Sequence, residues 1–325
     1  MTIREAPAAG KPVLGSPSSH RSKSQMCFST STTARQSSSS TTAPTPSSST
    51  SSTTTAPNAR WIDDLRGRIG KCITFGCDAS QVARSAKILA ALSAEWRDLL
   101  AGSHGFITPG ILAAGDLMGE QQQQQAGNVG NVRMGLQNHA VAWGDMDSFG
   151  HVNNTVYNKW AESARVNWLL HFAALDPANA KQWRQLMTMK HIGFIMQSIT
   201  TKYKMPIVYP DTISVYYRLT KPVTDPSSTT TTPYLNLQSL ILTHKHRRIA
   251  ATTDESVVVY DYQAASKTDL PGFAAPLFGR TWNLQQVVAG RAQQRIAELV
   301  RAVEDLEKDT WDREDAKEDF GSSKQ

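Results

Sequence analysis

Apolar residues gather in a few periodic blocks separated by long polar stretches. Over 80–100, Val82, Ala86, Leu89, Ala90, Leu92, Trp96, Leu99 and Leu100 recur at mixed steps of three and four. That spacing predicts a helix packed on a body, and Gly102 and Gly105 end it. Residues 139–143 read as a short strand, followed by a loop of acidic, polar and glycine residues. Helical spacing then returns in Val156, Tyr157, Trp160, Ala161, Ala164, Trp168, Leu169 and Phe172. So broad an apolar face predicts a long helix buried against a sheet, with Asn153 or Asn154 as its N-cap. Glu162 and Arg165, three apart, are expected to pair on its exposed side.

After Ile192 the period shortens towards two. Strands are predicted near 193–204, 212–219, 234–242 and 249–260, with a turn at Pro206, Pro210 and Asp211 and a low-complexity loop at 225–233. An amphipathic helix follows over 283–309, expected to pack on the body or on a partner subunit, before a polar end. The order of strand, long helix and several strands is an α+β pattern, one antiparallel sheet wrapped on a helix. The chain divides into a leader (1–60), a helical extension with a Gln- and Gly-rich insertion (61–135), a central domain (136–265) and a C-terminal helical extension (266–325).

Composition changes the reading of the leader. The first 60 of the 325 residues hold 27 Ser and Thr, six basic side chains and one acid. Most of the net charge of +6 therefore lies there, and the remainder is near neutral, which argues against a nucleic-acid groove. Such a segment is expected to be disordered. Its acid-poor, Arg- and Ser-bearing composition further suggests a mitochondrial transit peptide and a matrix location, against the alternative of a cytosolic tail. No apolar run approaches the ~18–20 residues of a membrane-spanning helix. Cys27, Cys72 and Cys77 have neither a disulfide framework nor zinc-site spacing, so no metal site is expected. Gly67–Cys72 lacks the first Gly and the Ser or Thr of a phosphate loop. Neither a Gly-x-Ser-x-Gly elbow nor a His-Glu-x-x-His motif occurs.

The chemistry concentrates in the loop before the long helix. Asp145, Asp147, Gly150, His151, Val152, Asn153 and Asn154 stand together, with Tyr157, Glu162 and Arg165 downstream. This run resembles the signature of hotdog-fold acyl-CoA thioesterases of the 4-hydroxybenzoyl-CoA thioesterase-like family. Tyr203, Pro206, Asp211 and Val215 resemble that family's strand–turn–strand, and the resemblance spans about 136–262. It implies a hotdog fold and hydrolysis of an acyl-CoA or acyl carrier protein thioester. Asp147 would be the general base or the nucleophile, with Gly150 and His151 completing the catalytic loop. Amides from Gly150 to Thr155 would hold the oxyanion at the helix N-terminus. Asn153, Asn154, Thr155, Tyr157 and Glu162 are the candidate substrate-side residues. Asn153, Asn154 and Tyr157 also read more simply as caps and a buried anchor. The resemblance implies at least a homodimer with the site at the subunit interface. It implies no cofactor beyond coenzyme A as part of the substrate. His244, Lys245, His246, Arg247 and Arg248 read as a solvated edge strand or as a basic rim for coenzyme A phosphates. A non-catalytic binding or assembly module is the main rival. A hydratase is a third reading, without a matching Asp and His arrangement.

Overall fold

The computed structural model describes residues 60–113, 134–224 and 232–317. The expected leader up to residue 59, the Gln- and Gly-rich insertion and most of the 225–233 loop lie outside these residues. Everything described belongs to one unit, Thr53–Gln325.

Six strands form one antiparallel sheet: β1 (Leu136–Ala140), β2 (Ile192–Tyr203), β3 (Thr212–Leu219), β4 (Tyr234–Thr243), β5 (Arg248–Asp261) and β6 (Ser266–Lys267). Their spatial order is β1-β3-β4-β5-β2, with β6 on β5. The helices are α1 (Trp61–Thr74), α2 (Ala79–Ser103), α3 (Pro109–Ala113), α4 (Asn154–Leu175), α5 (Ala180–Gln185) and α6 (Ala275–Thr310). This is the α+β hotdog arrangement, the sheet embracing α4.

Side chains alternate across a strand, and here both faces are covered. Val215 and Tyr217 of β3 pack with Tyr157, Trp160, Ala164, Trp168 and Phe172 of α4. Tyr216 of β3 and Leu240 and Leu242 of β4 point the other way, into a layer of α1, α2 and α6 built on Leu65, Ile69, Leu92, Trp96, Leu299 and Val303. Cover on both faces buries β3 continuously from Ile213 to Tyr217 rather than at every second position.

Specific polar contacts hold the outer layer. Buried Gln285 of α6 accepts from the Leu219 amide at 2.9 Å and donates to the Leu219 carbonyl at 2.9 Å, so its side chain continues the hydrogen bonding where β3 ends. Arg68 of α1 donates to Glu307 at 2.9 Å, and Arg295 makes two 3.0 Å bonds to Glu95 across α6 and α2. Asp78 and Gln81 form a reciprocal capping box that starts α2.

Four sequence expectations are corrected. The first strand ends at Ala140, and Trp143–Asp145 is a 3-10 turn, because Asp145 Oδ2 accepts from the Ala142 amide at 2.9 Å and folds the chain back. The C-terminal helix starts at Ala275, earlier than 283. Pro276 falls in its first turn, where a missing N–H costs nothing. His244–Arg247 form the β4–β5 turn rather than an edge strand. Within that turn His244 is half-buried, 2.9 Å from Ser214 Oγ and edge-on to Trp96. Finally, Arg165 does not pair with Glu162, as described below.

Two outcomes follow for stability. Leu92 is 1% exposed in the outer layer, whereas Val82 on the same helix is 52% exposed. Leu92→Ala should cost ~2–5 kcal/mol and Val82→Ala under ~0.5 kcal/mol in urea unfolding. Equal, small losses would contradict an outer layer packed on the sheet. On α4, His171 is buried with an unpartnered Nδ1, and burial pushes its pKa down to about 4. The unfolded chain takes up this proton near pH 6.5, so His171 withdraws stability as pH falls from about 6.5 to about 4. The full effect is about 3 kcal/mol. The stability difference between His171→Leu and wild type should grow in the variant's favour across that window. A constant difference would refute it.

Candidate active site

The loop before α4 is a miniature hairpin. Asp145 closes its base: its carboxylate takes the Ala142 amide, and its carbonyl takes the Asn153 amide at 2.9 Å. Met146 and Val152 form an isolated antiparallel bridge, and the Asp147 amide donates to the His151 carbonyl at 2.9 Å. At the tip, the Gly150 amide donates to the Asp147 carbonyl at 3.0 Å, and the Phe149 amide donates to Asp147 Oδ1 at 2.9 Å. Gly150 has φ +76°, a left-handed conformation that suits glycine. Asp147 is half-buried and Oδ1 is occupied, while Oδ2 accepts no hydrogen bond among the described residues.

Two tyrosines seat this hairpin and the start of α4. Buried Val152 donates its amide to the Ile207 carbonyl at 2.9 Å, and the Tyr157 hydroxyl accepts the Ile207 amide at 3.2 Å. Tyr203 donates its hydroxyl to the Asn154 carbonyl at 3.1 Å and lies edge-on to Tyr157. Burial raises the pKa of Tyr157 and of Tyr203, keeping both hydroxyls protonated. Asn153 caps α4, its Oδ1 accepting from the Thr155 amide at 2.9 Å and the Thr155 hydroxyl at 2.8 Å.

The amides of Gly150, Val152, Asn153 and Thr155 are therefore engaged inside the loop. Those of Ser148, His151 and Asn154 make no hydrogen bond among the described residues. Asn154 is the first residue of α4, where the helix dipole favours negative charge. Gly150, His151, Asn154 and Thr155 are exposed, and Tyr157 is buried. Glu162 is exposed two turns further along α4, about 12 Å from Asn154 by helical rise.

Glu162 also borders a cavity of about 160 Å³ between α4 and the sheet. Its walls are apolar, among them Leu169, Leu186, Phe194, Leu235 and Val257, except for Glu162 and Arg165. Arg165 Nη1 lies 2.7 Å from Glu255 Oε2, and the Glu255 side chain is fully buried. Tyr217 donates to Glu255 Oε1 at 2.6 Å, with the Ala161 carbonyl 2.9 Å away, and Thr253 donates to the same carboxylate oxygen at 3.0 Å. Burial and the neighbouring carboxylate push the Tyr217 hydroxyl well above its ordinary pKa. A buried ion pair survives where its remaining donors and acceptors are satisfied, as they are around this carboxylate. Sequence reading missed Glu255. Its only signal is the polar run Thr252–Ser256 inside an otherwise β-branched strand. Among the described residues no three His, Cys, Asp or Glu side chains cluster to hold a metal ion.

Residues 141–278 match the thioesterase-like superfamily. The matched segment holds the hairpin, α4, β2 to β6 and the first residues of α6, and leaves α1 to α3 outside. No curated protein matches the sequence. Among solved structures, a Pseudomonas aeruginosa protein assigned as a thioesterase is 23% identical, covering 44% of this chain and 97% of its own, with a TM-score of 0.34. The DHNA-CoA thioesterase of Staphylococcus aureus is 15% identical over 48% of this chain and 93% of its own, TM-score 0.35. A Thermus thermophilus thioesterase, solved with coenzyme A and Zn, is 20% identical over 46% of this chain and 92% of its own, TM-score 0.32.

Arg165→Met leaves Glu255 buried without its counter-charge and should cost ~3–5 kcal/mol in urea unfolding. Adding Glu255→Gln should restore much of that loss. A single variant as stable as wild type would contradict a buried, coupled pair.

Proposed function

We propose that residues 141–278, a domain of the thioesterase-like superfamily, hydrolyse acyl-CoA thioesters at the Asp147 hairpin. The observation that carries this reading is the position of Asp147. It is held by its own turn in the loop before α4, and among the described residues one of its carboxylate oxygens and the amides of His151 and Asn154 in the same loop and helix start are unengaged. In the proposed reaction, Asp147 Oδ2 takes a proton from water as the water oxygen bonds to the thioester carbon. The carbonyl oxygen gains charge, which the Asn154 or His151 amide and the positive end of α4 stabilise. The C–S bond then breaks, and the departing thiolate takes the proton held by Asp147, which returns to its carboxylate form. In the nucleophilic variant, an Asp147 oxygen bonds to the thioester carbon, and the C–S bond breaks as the thiolate leaves. Water then cleaves the resulting anhydride, restoring the Asp147 carboxylate, freeing the acid and supplying the proton that the thiolate takes up. A general base contributes ~10²–10⁴ in rate, and one oxyanion donor ~10²–10³.

The apolar cavity beside α4 is a suitable acyl pocket. Its volume in one copy of the chain is about 160 Å³. Coenzyme A enters as part of the substrate, with no further cofactor in this scheme. A second copy of the chain completes the site. This is supported by Phe149 and Trp143, 84% and 76% exposed beside Asp147, and by the 12-residue strand β2, which pairs only with β5 among the described residues. The acid-poor leader supports delivery to the mitochondrial matrix. Glu162 offers a second reading of the base, because it borders the cavity directly.

The test is thiol release by the purified full chain from a panel of acyl-CoA esters. Asp147→Asn should lose ~10²–10⁴ in turnover with its fold intact, and Glu162→Gln should retain most activity. The reverse pattern would transfer the base to Glu162. A wild-type protein inactive on every acyl-CoA and acyl carrier protein ester would favour a non-catalytic hotdog module.

A further inference from the structure

On the face of the sheet away from α4, a second cavity opens where the end of α2, the end of β3 and α6 meet. It has a volume of about 320 Å³, and its walls include Ser103, His104, Arg218, Trp282, Gln286 and Gln293. Arg218 has the same parity on β3 as Tyr216, so it faces the outer helices and not the Asp147 side. Its Nε donates to Gln238 at 3.0 Å, its Nη1 donates to the His104 carbonyl, and its guanidinium lies 5.1 Å from the Phe106 ring centre.

Those contacts fix the guanidinium without neutralising it. Among the described residues no carboxylate forms an ion pair with Arg218. The acid that influences it is Asp254, which is already paired with Lys202 at 2.8 Å and bonded by Gln238 at 2.7 Å. Burial lowers the pKa of Arg218, and burial together with the Arg218 charge lowers that of His104. The cavity wall has no acid and offers the guanidinium, an imidazole, an indole and three carboxamides, of which Gln285 is spent on Leu219 while Gln286 and Gln293 each also donate to a carbonyl, at 3.5 and 3.3 Å. Capping the C-terminal end of α2 explains the bond from Nη1, as basic side chains commonly serve there. It does not explain an acid-free cavity opening on the same guanidinium. A desolvated charge without a counter-charge is costly, and an anion seated against it recovers that cost.

We propose that this cavity is a binding site for a small oxyanion, the phosphate or carboxylate group of a metabolite, with Arg218 as its principal ligand. The volume equals about ten waters at ~30 Å³ each, enough for phosphate or a small polycarboxylate. A bound anion would join α2, β3 and α6, fastening the outer layer to the sheet. The site is separate from the proposed thioester chemistry and does not depend on it.

The probes are inorganic phosphate and citrate, titrated into the full chain against chloride at constant ionic strength. Unfolding temperature and calorimetric heat are the readouts. At least one anion should raise the unfolding temperature saturably, as a ligand of the folded state does, and should give a measurable Kd. Phosphate alone, or citrate alone, would identify which oxyanion class is preferred. Gln286→Glu introduces a carboxylate into the cavity wall and leaves both Arg218 hydrogen bonds in place, so the fold should persist. It should weaken binding at least tenfold, a factor of about ten being ~1.4 kcal/mol. Arg218→Gln should do the same where it folds. No saturable response to either anion, or equal affinity in wild type and Gln286→Glu, would overturn the proposal.

Discussion

The peptide backbone of one buried residue, Ile207, links the candidate site to the sheet. Its carbonyl receives the Val152 amide, and its amide donates to the Tyr157 hydroxyl. Both groups lie in the core, where an unpaired donor or acceptor costs ~1–3 kcal/mol. The hairpin and the first turn of α4 are thereby held by the same peptide segment between β2 and β3. Tyr203 adds a bond to the Asn154 carbonyl from the end of β2. In the proposed reaction, Asp147 and the loop amides are thus placed before substrate arrives. Catalysis by fixed donors and a fixed base requires such placement, because a site that must reorganise during the reaction loses its electrostatic advantage.

The second constraint is the covered outer face of the sheet. A sheet with one bare apolar face must bury it, and this chain does so with its own α1, α2 and α6. That layer lies mostly outside the segment matching the thioesterase-like superfamily. Its anchors are polar as well as apolar: Gln285 continues the bonding of β3, and Arg218 reaches the end of α2. Where those anchors meet, packing is incomplete and an acid-free cavity remains. The outer layer therefore closes the core and, in the same corner, leaves a place for an anion.

Much of the fold was legible because local periodicity carries it. The apolar face of α4, the 79–103 helix and strands β3 to β5 all follow from spacing that neighbouring residues reveal. The errors arose where a distant partner decides the outcome. Arg165 was expected to pair with Glu162 one helical turn away, but α4 turns it towards the sheet, where Glu255 stands 90 residues later. His244 looked solvated in a basic run, yet Trp96 and Ser214 enclose it. At the candidate site, the sequence singles out one loop but not which of its atoms are unengaged among the described residues. That depends on turn geometry: Gly150 and Thr155 have their amides occupied, whereas those of His151 and Asn154 make no hydrogen bond among the described residues. The cavity walls were illegible for a related reason, since Leu186 and Phe194 meet α4 only through the tertiary fold.

The most direct measurement is a crystal structure of the protein with a non-hydrolysable acyl-CoA analogue, its thioester sulfur displaced by a methylene. The account predicts the analogue's carbonyl oxygen on the Asn154 or His151 amide. Asp147 Oδ2 should face the carbonyl carbon, and the acyl group should enter the cavity lined by Leu235 and Val257. An analogue bound with its carbonyl remote from the Asp147 hairpin would contradict it.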